Sequence, residues 1–164
     1  MKETITSKQG YFIGDIYYCL EDHIYQMWLD ACGINGNNFS ILSKFTVPKG
    51  TIVNASLITE DYTFLVDETA YGDGTYYDQT GREYGVDAGV IGIVPLELVE
   101  LGTQYELGRA VHSTEPATME AYEGKFQFTI GSDMYEIDTR DTLNYDYDDE
   151  DDDNLDCDDN DGDV

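Results

Sequence analysis

Short apolar stretches with every-other-residue spacing, broken by glycine and aspartate, constrain this chain most. In KFQFTIGSDMYEIDT, residues 125–139, Phe126, Phe128 and Ile130 alternate with polar neighbours. Gly131-Ser132-Asp133 supplies a turn, and Tyr135 and Ile137 return on the other side of it. A side-chain period of two sorts apolar and polar residues onto opposite faces, so this stretch reads as a half-buried hairpin. Tyr62, Phe64 and Val66 repeat the pattern. Gly72-Asp73-Gly74 and Asp78-Gln79-Thr80-Gly81 carry turn chemistry, and Val86 to Val94 reads as one buried strand. FTVPKGTIVNASLI reads as strand, turn and strand, with Pro48-Lys49-Gly50 as the turn. GYFIGDIYYCL, residues 10–20, predicts one or two short strands around its Gly-Asp break. PLELVELGTQYELG fits a short helix or a strand equally well.

One segment has the other period. In EDHIYQMWLDACG, Ile24, Met27, Trp28 and Ala31 recur at i, i+3, i+4 and i+7. Acids at 21 and 22 suit the positive end of a helix dipole, and Gly33 suits its end. Trp28 is the expected anchor of this helix on the core.

One helix and seven to nine strands, with no regular βαβ alternation and no fixed-period repeat, predict an α+β domain. The expected form is a mainly antiparallel curved sheet or partly open barrel with one packed helix, plus an acidic C-terminal tail. Residues 1–143 are read as a single globular domain and 144–164 as an acidic low-complexity tail. The chain of 164 residues is long enough for one real core, and its 41% hydrophobic share is ordinary for a folded protein.

Charge is the second constraint. The net charge is −27. The stretch from Asp146 onward holds twelve of the 35 acids and no base, which leaves 23 acids and all eight bases in residues 1–145, a balance of −15. The folded part is therefore strongly acidic by itself. Such a surface repels DNA, RNA and anionic lipid and attracts cations and basic proteins; it also favours solubility. The tail has only Leu155 and Val164 as aliphatics and is expected not to build a core. Its end, DCDDNDGDV, has a calcium-loop look, but Cys157 stands where the pattern needs Asp and no Glu follows Gly162, which excludes an EF-hand.

The residues also carry a resemblance. Gly14, Asp15 and Tyr18, then Tyr71, Gly72, Asp73 and Gly74, then Val86, Asp87, Ala88 and Gly89 resemble a family of small uncharacterised proteins from bacteria and their phages. That family pairs Gly-Asp-x-x-Tyr with Tyr-Gly-Asp-Gly and Val-Asp-Ala-Gly. About a third of the chain is covered, Cys19 follows Tyr18 where the pattern has Cys first, and the acidic tail lies outside. The resemblance implies a phage or mobile-element origin and supplies context rather than a mechanism.

Asp15, Asp73 and Asp87 each sit beside glycine at an expected strand end. Converging, they would offer oxygen ligands to a divalent metal or raise one another's pKa for acid–base work. The competing reading is that each caps its own turn through backbone N–H groups, which Gly-Asp and Asp-Gly pairs commonly do. His23 and His112 complete no zinc pattern with Cys19, Cys32 and Cys157, and no nucleophile elbow or phosphate loop is present. Cys19 and Cys32 lie in apolar stretches, which predicts inert, reduced thiols. No secretory leader or membrane span is expected, so the expected location is the cytoplasm, that of the host cell if the protein is phage-encoded.

Two classes of function follow. The first is a non-enzymatic acidic protein that inhibits a host nucleic-acid-binding or defence protein by imitating nucleic-acid charge. Its partner is a basic protein, with no nucleic acid or membrane bound directly and no cofactor beyond weak divalent cation binding. The tail carboxylates Asp146, Asp148, Asp149, Glu150, Asp151, Asp152, Asp153, Asp156, Asp158 and Asp159 are its candidate contacts. The alternative is a metal-binding or small-ligand-binding protein, or a hydrolase, built on Asp15, Asp73 and Asp87. An accessory phage protein is a third, plainer reading.

Overall fold

The computed structural model describes residues 1–33 and 41–140. The whole acidic run, with its ten candidate contact residues, lies outside the described residues, as does Cys157. The described chain begins with β1 (Lys2–Ile5) and β2 (Tyr11–Gly14), followed by the single helix α1 (Asp22–Cys32). Then come β3 (Lys44–Val47), β4 (Ile52–Val53), β5 (Ser56–Leu57), β6 (Tyr62–Glu68), β7 (Gly74–Tyr77), β8 (Glu83–Val86) and β9 (Val90–Pro95). β10 (Arg109–Val111), β11 (Ala117–Tyr122), β12 (Lys125–Ile130) and β13 (Asp133–Asp138) complete it.

Every named strand pairing is antiparallel. A five-stranded sheet has the order β10-β2-β9-β6-β3, and a four-stranded sheet the order β1-β11-β12-β13. Two hairpins, β4-β5 and β7-β8, stand apart from them. The α+β class with one helix is thus the fold, and no closed barrel forms among the described residues. The five-stranded sheet is the middle layer. Tyr11, Ile13, Leu65, Ile91 and Ile93 of its strands join Met119, Phe126, Phe128 and Ile137 of the other sheet in one core. Phe12, Phe64, Val66, Val90 and Val94 point the opposite way and meet Ile24 and Trp28 of α1. A strand buried on both faces loses its alternation and reads as a continuous apolar run, as VIGIV does in β9. Gly92 sits where β9 crosses β6: an added Cβ would collide with the Leu65 carbonyl oxygen.

α1 runs as its periodicity predicts, with Ile24 and Trp28 buried and Gly33 closing it in the left-handed conformation at φ 74°. The fourth core position is Cys32, not Ala31, which faces solvent. The Trp28 indole N–H donates to the Leu42 carbonyl at 2.9 Å. GYFIGDIYYCL holds one strand, β2, of the one or two expected, and its second part is a 3₁₀ turn, Ile16–Tyr18. Two other expectations change. The stretch from Val86 to Val94 divides at Asp87–Gly89 into the end of β8 and the start of β9. PLELVELGTQYELG forms two 3₁₀ turns, Leu96–Leu98 and Tyr105–Leu107. No helix among the described residues is long and apolar enough to cross a membrane.

Candidate functional site

The three aspartates singled out from the sequence meet in one neighbourhood. Asp15 follows β2 directly and is fully buried. Its Oδ1 accepts from the Tyr17 N–H at 2.9 Å, which caps the 3₁₀ turn, and its Oδ2 accepts from the Asp87 and Ala88 N–H groups at 2.6 and 2.8 Å. This carboxyl ties the end of β2 to the β8–β9 turn. Burial raises its pKa, the three N–H donors oppose the rise, and the Asp87 charge adds to it. Asp73 and Asp87 are exposed. The Tyr18 hydroxyl is raised in pKa first by burial and then by the charges of Asp87, Asp15 and Asp73, so all three carboxylates act on one ring. Among the described residues, no set of three His, Cys, Asp or Glu side chains is arranged to hold a metal ion. Asp15 spends its oxygens on backbone donors, as a turn cap does.

A second constellation was not legible as a unit. Asp78 opens the expected turn before Gly81, and its side chain is fully buried. Its Oδ1 accepts from the Thr80 hydroxyl and N–H at 2.6 and 2.8 Å. Its Oδ2 accepts from the Tyr84 hydroxyl at 2.7 Å and from Arg109 Nη2 at 2.9 Å. Arg109 also donates to the Tyr84 oxygen at 3.1 Å and lies 4.3 Å over the Tyr135 ring. Burial pushes the Asp78 carboxyl up, but the donors Thr80, Tyr84 and Arg109 outweigh it and hold the pKa at about 2. Burial, with the Asp78 hydrogen bond, drives the Tyr84 hydroxyl far above its ordinary range. A phenol so hard to ionise is a donor and a strut, and no base for catalysis. The available signal was scarcity: with eight bases in the chain, an arginine inside the apolar stretch GRAV needed a buried partner.

The third feature is an aromatic strip beside the aspartates. Tyr17 packs edge-on to Tyr25 with ring centroids 5.4 Å apart, and Tyr25 meets Trp28 at 5.8 Å. Tyr17 is half exposed and Trp28 is 2% exposed, so the strip runs from the surface to the core. It borders a cavity of about 470 Å³ whose lining includes Tyr25, Trp28, Leu29, Glu68, Ala88 and Val90.

His23 and His112 do not join any of these groups. His23 Nε2 donates to the Ile52 carbonyl at 2.7 Å and so pins the β4–β5 hairpin to α1. Cys19 and Cys32 are buried free thiols, both raised in pKa by burial, which fits inert sulfur. No family model matches this chain, and no curated protein or solved structure is similar to it at a significant level.

Proposed function

We propose that this protein is a non-enzymatic acidic inhibitor that occupies the basic groove of a nucleic-acid-binding or defence protein in place of nucleic acid. The observation that carries this reading is the charge of the chain ahead of the acidic run. Residues 1–145 hold 23 acids against eight bases. Six of those bases, Lys2, Lys8, Lys44, Arg109, Lys125 and Arg140, already pair with acids within the described residues. Arg82 is spent on the Gly108 and Tyr105 carbonyls. Little positive charge is left to attract a polyanion, and the acids outnumber the bases almost three to one. A partner rich in Lys and Arg would release bound anions and exchange nucleic-acid phosphates for these carboxylates. A phage origin, with a host enzyme as the target, is part of the same proposal. The alternative, chemistry at Asp15, Asp73 and Asp87, is weakened by the commitment of Asp15 to three backbone donors.

The test is affinity capture from a host lysate with the full chain as bait. Recovery of a basic nuclease, helicase or other nucleic-acid enzyme, competed away by excess duplex DNA, is the expected result. Capture that DNA leaves untouched, or that yields only proteins without a nucleic-acid site, would refute the reading.

A further inference from the structure

The groove between α1 and the β8–β9 turn is walled mainly by aromatic and aliphatic side chains. Tyr25, Trp28, Leu29, Ala88 and Val90 line it, and its volume is about 470 Å³. That is within the range of built ligand sites. Tyr17, held by its N–H on Asp15, extends the aromatic wall outward to solvent. Glu68 is among the lining residues and is exposed. Asp87 is exposed directly before the lining residues Ala88 and Gly89. All eight bases lie among the described residues, and none of them lines this cavity.

Aromatic faces and carboxylates select the same kind of guest. The ring faces attract a cation, and the carboxylates supply the countercharge. A guanidinium meets both demands better than an ammonium, because it is planar, stacks on aromatic rings and sheds water more readily. We propose that this groove receives an arginine side chain of the basic partner and is the anchor point of the interface. The inference rests on the inhibitor reading above and names the contact within it. Buried aromatic–arginine contacts commonly carry most of an interface's energy, while the surrounding charges guide approach. A second copy of this chain is a poor occupant, since two bodies of about −15 repel each other.

Trp28 is the only tryptophan in the chain and lies in the groove wall, so its emission reports occupancy. The probe is a short neutral peptide with a single arginine, compared with its citrulline counterpart, which keeps the shape and loses the charge. Both are titrated into the full-length protein at physiological salt. The expected result is a saturable change in Trp28 emission with the arginine peptide and roughly tenfold weaker binding of the citrulline peptide. Tyr25→Leu, which removes the ring, and Asp87→Asn, which removes a charge next to the lining residue Ala88, should each weaken arginine binding roughly fivefold while the protein keeps a cooperative melting transition. Equal responses to both peptides, or arginine binding unaltered in Tyr25→Leu, would overturn the proposal. So would a concentration-dependent dimer that blocks the groove. Lysate capture with Tyr25→Leu separates the two readings. If the same nucleic-acid enzyme is still recovered at full strength, the groove is not the anchor and the inhibitor reading stands. If the groove binds the arginine peptide but no such enzyme is ever captured, the inhibitor reading fails and the groove stands.

Discussion

Asp78 and Trp28 do different work and fail differently. Asp78 is a fully buried carboxylate whose donors are Thr80, Tyr84 and Arg109. Replacing it with Ala leaves the Arg109 guanidinium and the Tyr84 hydroxyl without their acceptor, and breaking such a pair costs about 3–5 kcal/mol. Denaturant unfolding of Asp78→Ala should show that loss, whereas Asp87→Asn, at an exposed side chain, should change stability by about 0.5 kcal/mol or less. The pH signature of Asp78 has a definite sign. Its folded pKa is lowered from 3.8 to about 2, so its contribution is present above 3.8 and is lost as pH falls through about 2. The shift corresponds to about 2 kcal/mol. Trp28→Ala removes apolar volume instead, together with the indole N–H bond to the Leu42 carbonyl. It should cost about 3–5 kcal/mol at any pH, measured by the same unfolding curves; a near-wild-type midpoint would contradict its place in the core.

At the scale of elements, the edges of the sheets show what holds each strand. β13 is an outer strand of the four-stranded sheet. The Gln79 side chain closes part of that edge as a strand would, donating to the Met134 carbonyl at 2.6 Å and accepting from the Glu136 N–H at 2.8 Å. Open edges invite pairing with other chains, and this amide covers one. Gln79→Ala should speed hydrogen exchange at the Glu136 amide while exchange within the paired core of β12 stays slow. Strong alternation made β6, β12 and β13 legible, and helical spacing made α1 legible. β1 and β11 were not. β1 buries only Ile5, and the inward side chains of β11 are Ala117, Met119 and Ala121, whose small apolar area gives little contrast with their neighbours. The hairpin β11–β12 turns on Glu123 at φ 51° and Gly124, where an added Cβ would lie 2.7 Å from that of Ala70. That packing demand comes from a residue more than fifty positions away, so local pattern could not announce it. The candidate site divides in the same way. The Gly-Asp turns were visible, but their common neighbour Tyr18 and the groove beside them exist only once α1 is laid on the β8–β9 turn.

The whole molecule is governed by its charge. A net charge of −27 repels itself in the compact state more than in the unfolded chain, where the charges stand farther apart. Salt should therefore stabilise this protein at neutral pH. At 0.1 M the screening length is about 10 Å, shorter than a domain, so most of the long-range repulsion disappears while the hydrogen-bonded Asp78–Arg109 pair keeps its short contact. Mild acid should act in the same sense. As pH falls from 7 toward the carboxylate range, protonation removes surplus charge, and Asp15, whose folded pKa is raised by burial, adds stability in the same direction. The gain must end once Asp78 begins to protonate, because its contribution disappears between 3.8 and about 2. Scanning calorimetry of the full chain at low salt should give a melting temperature that rises from pH 7 toward pH 5 and falls steeply below about pH 3. At pH 7, raising salt from about 0.01 M to 0.5 M should recover much of the same gain. A melting temperature highest at pH 7 and indifferent to salt would mean that the acids are neutralised locally. An inhibitor that presents uncompensated carboxylates to a basic groove requires the opposite.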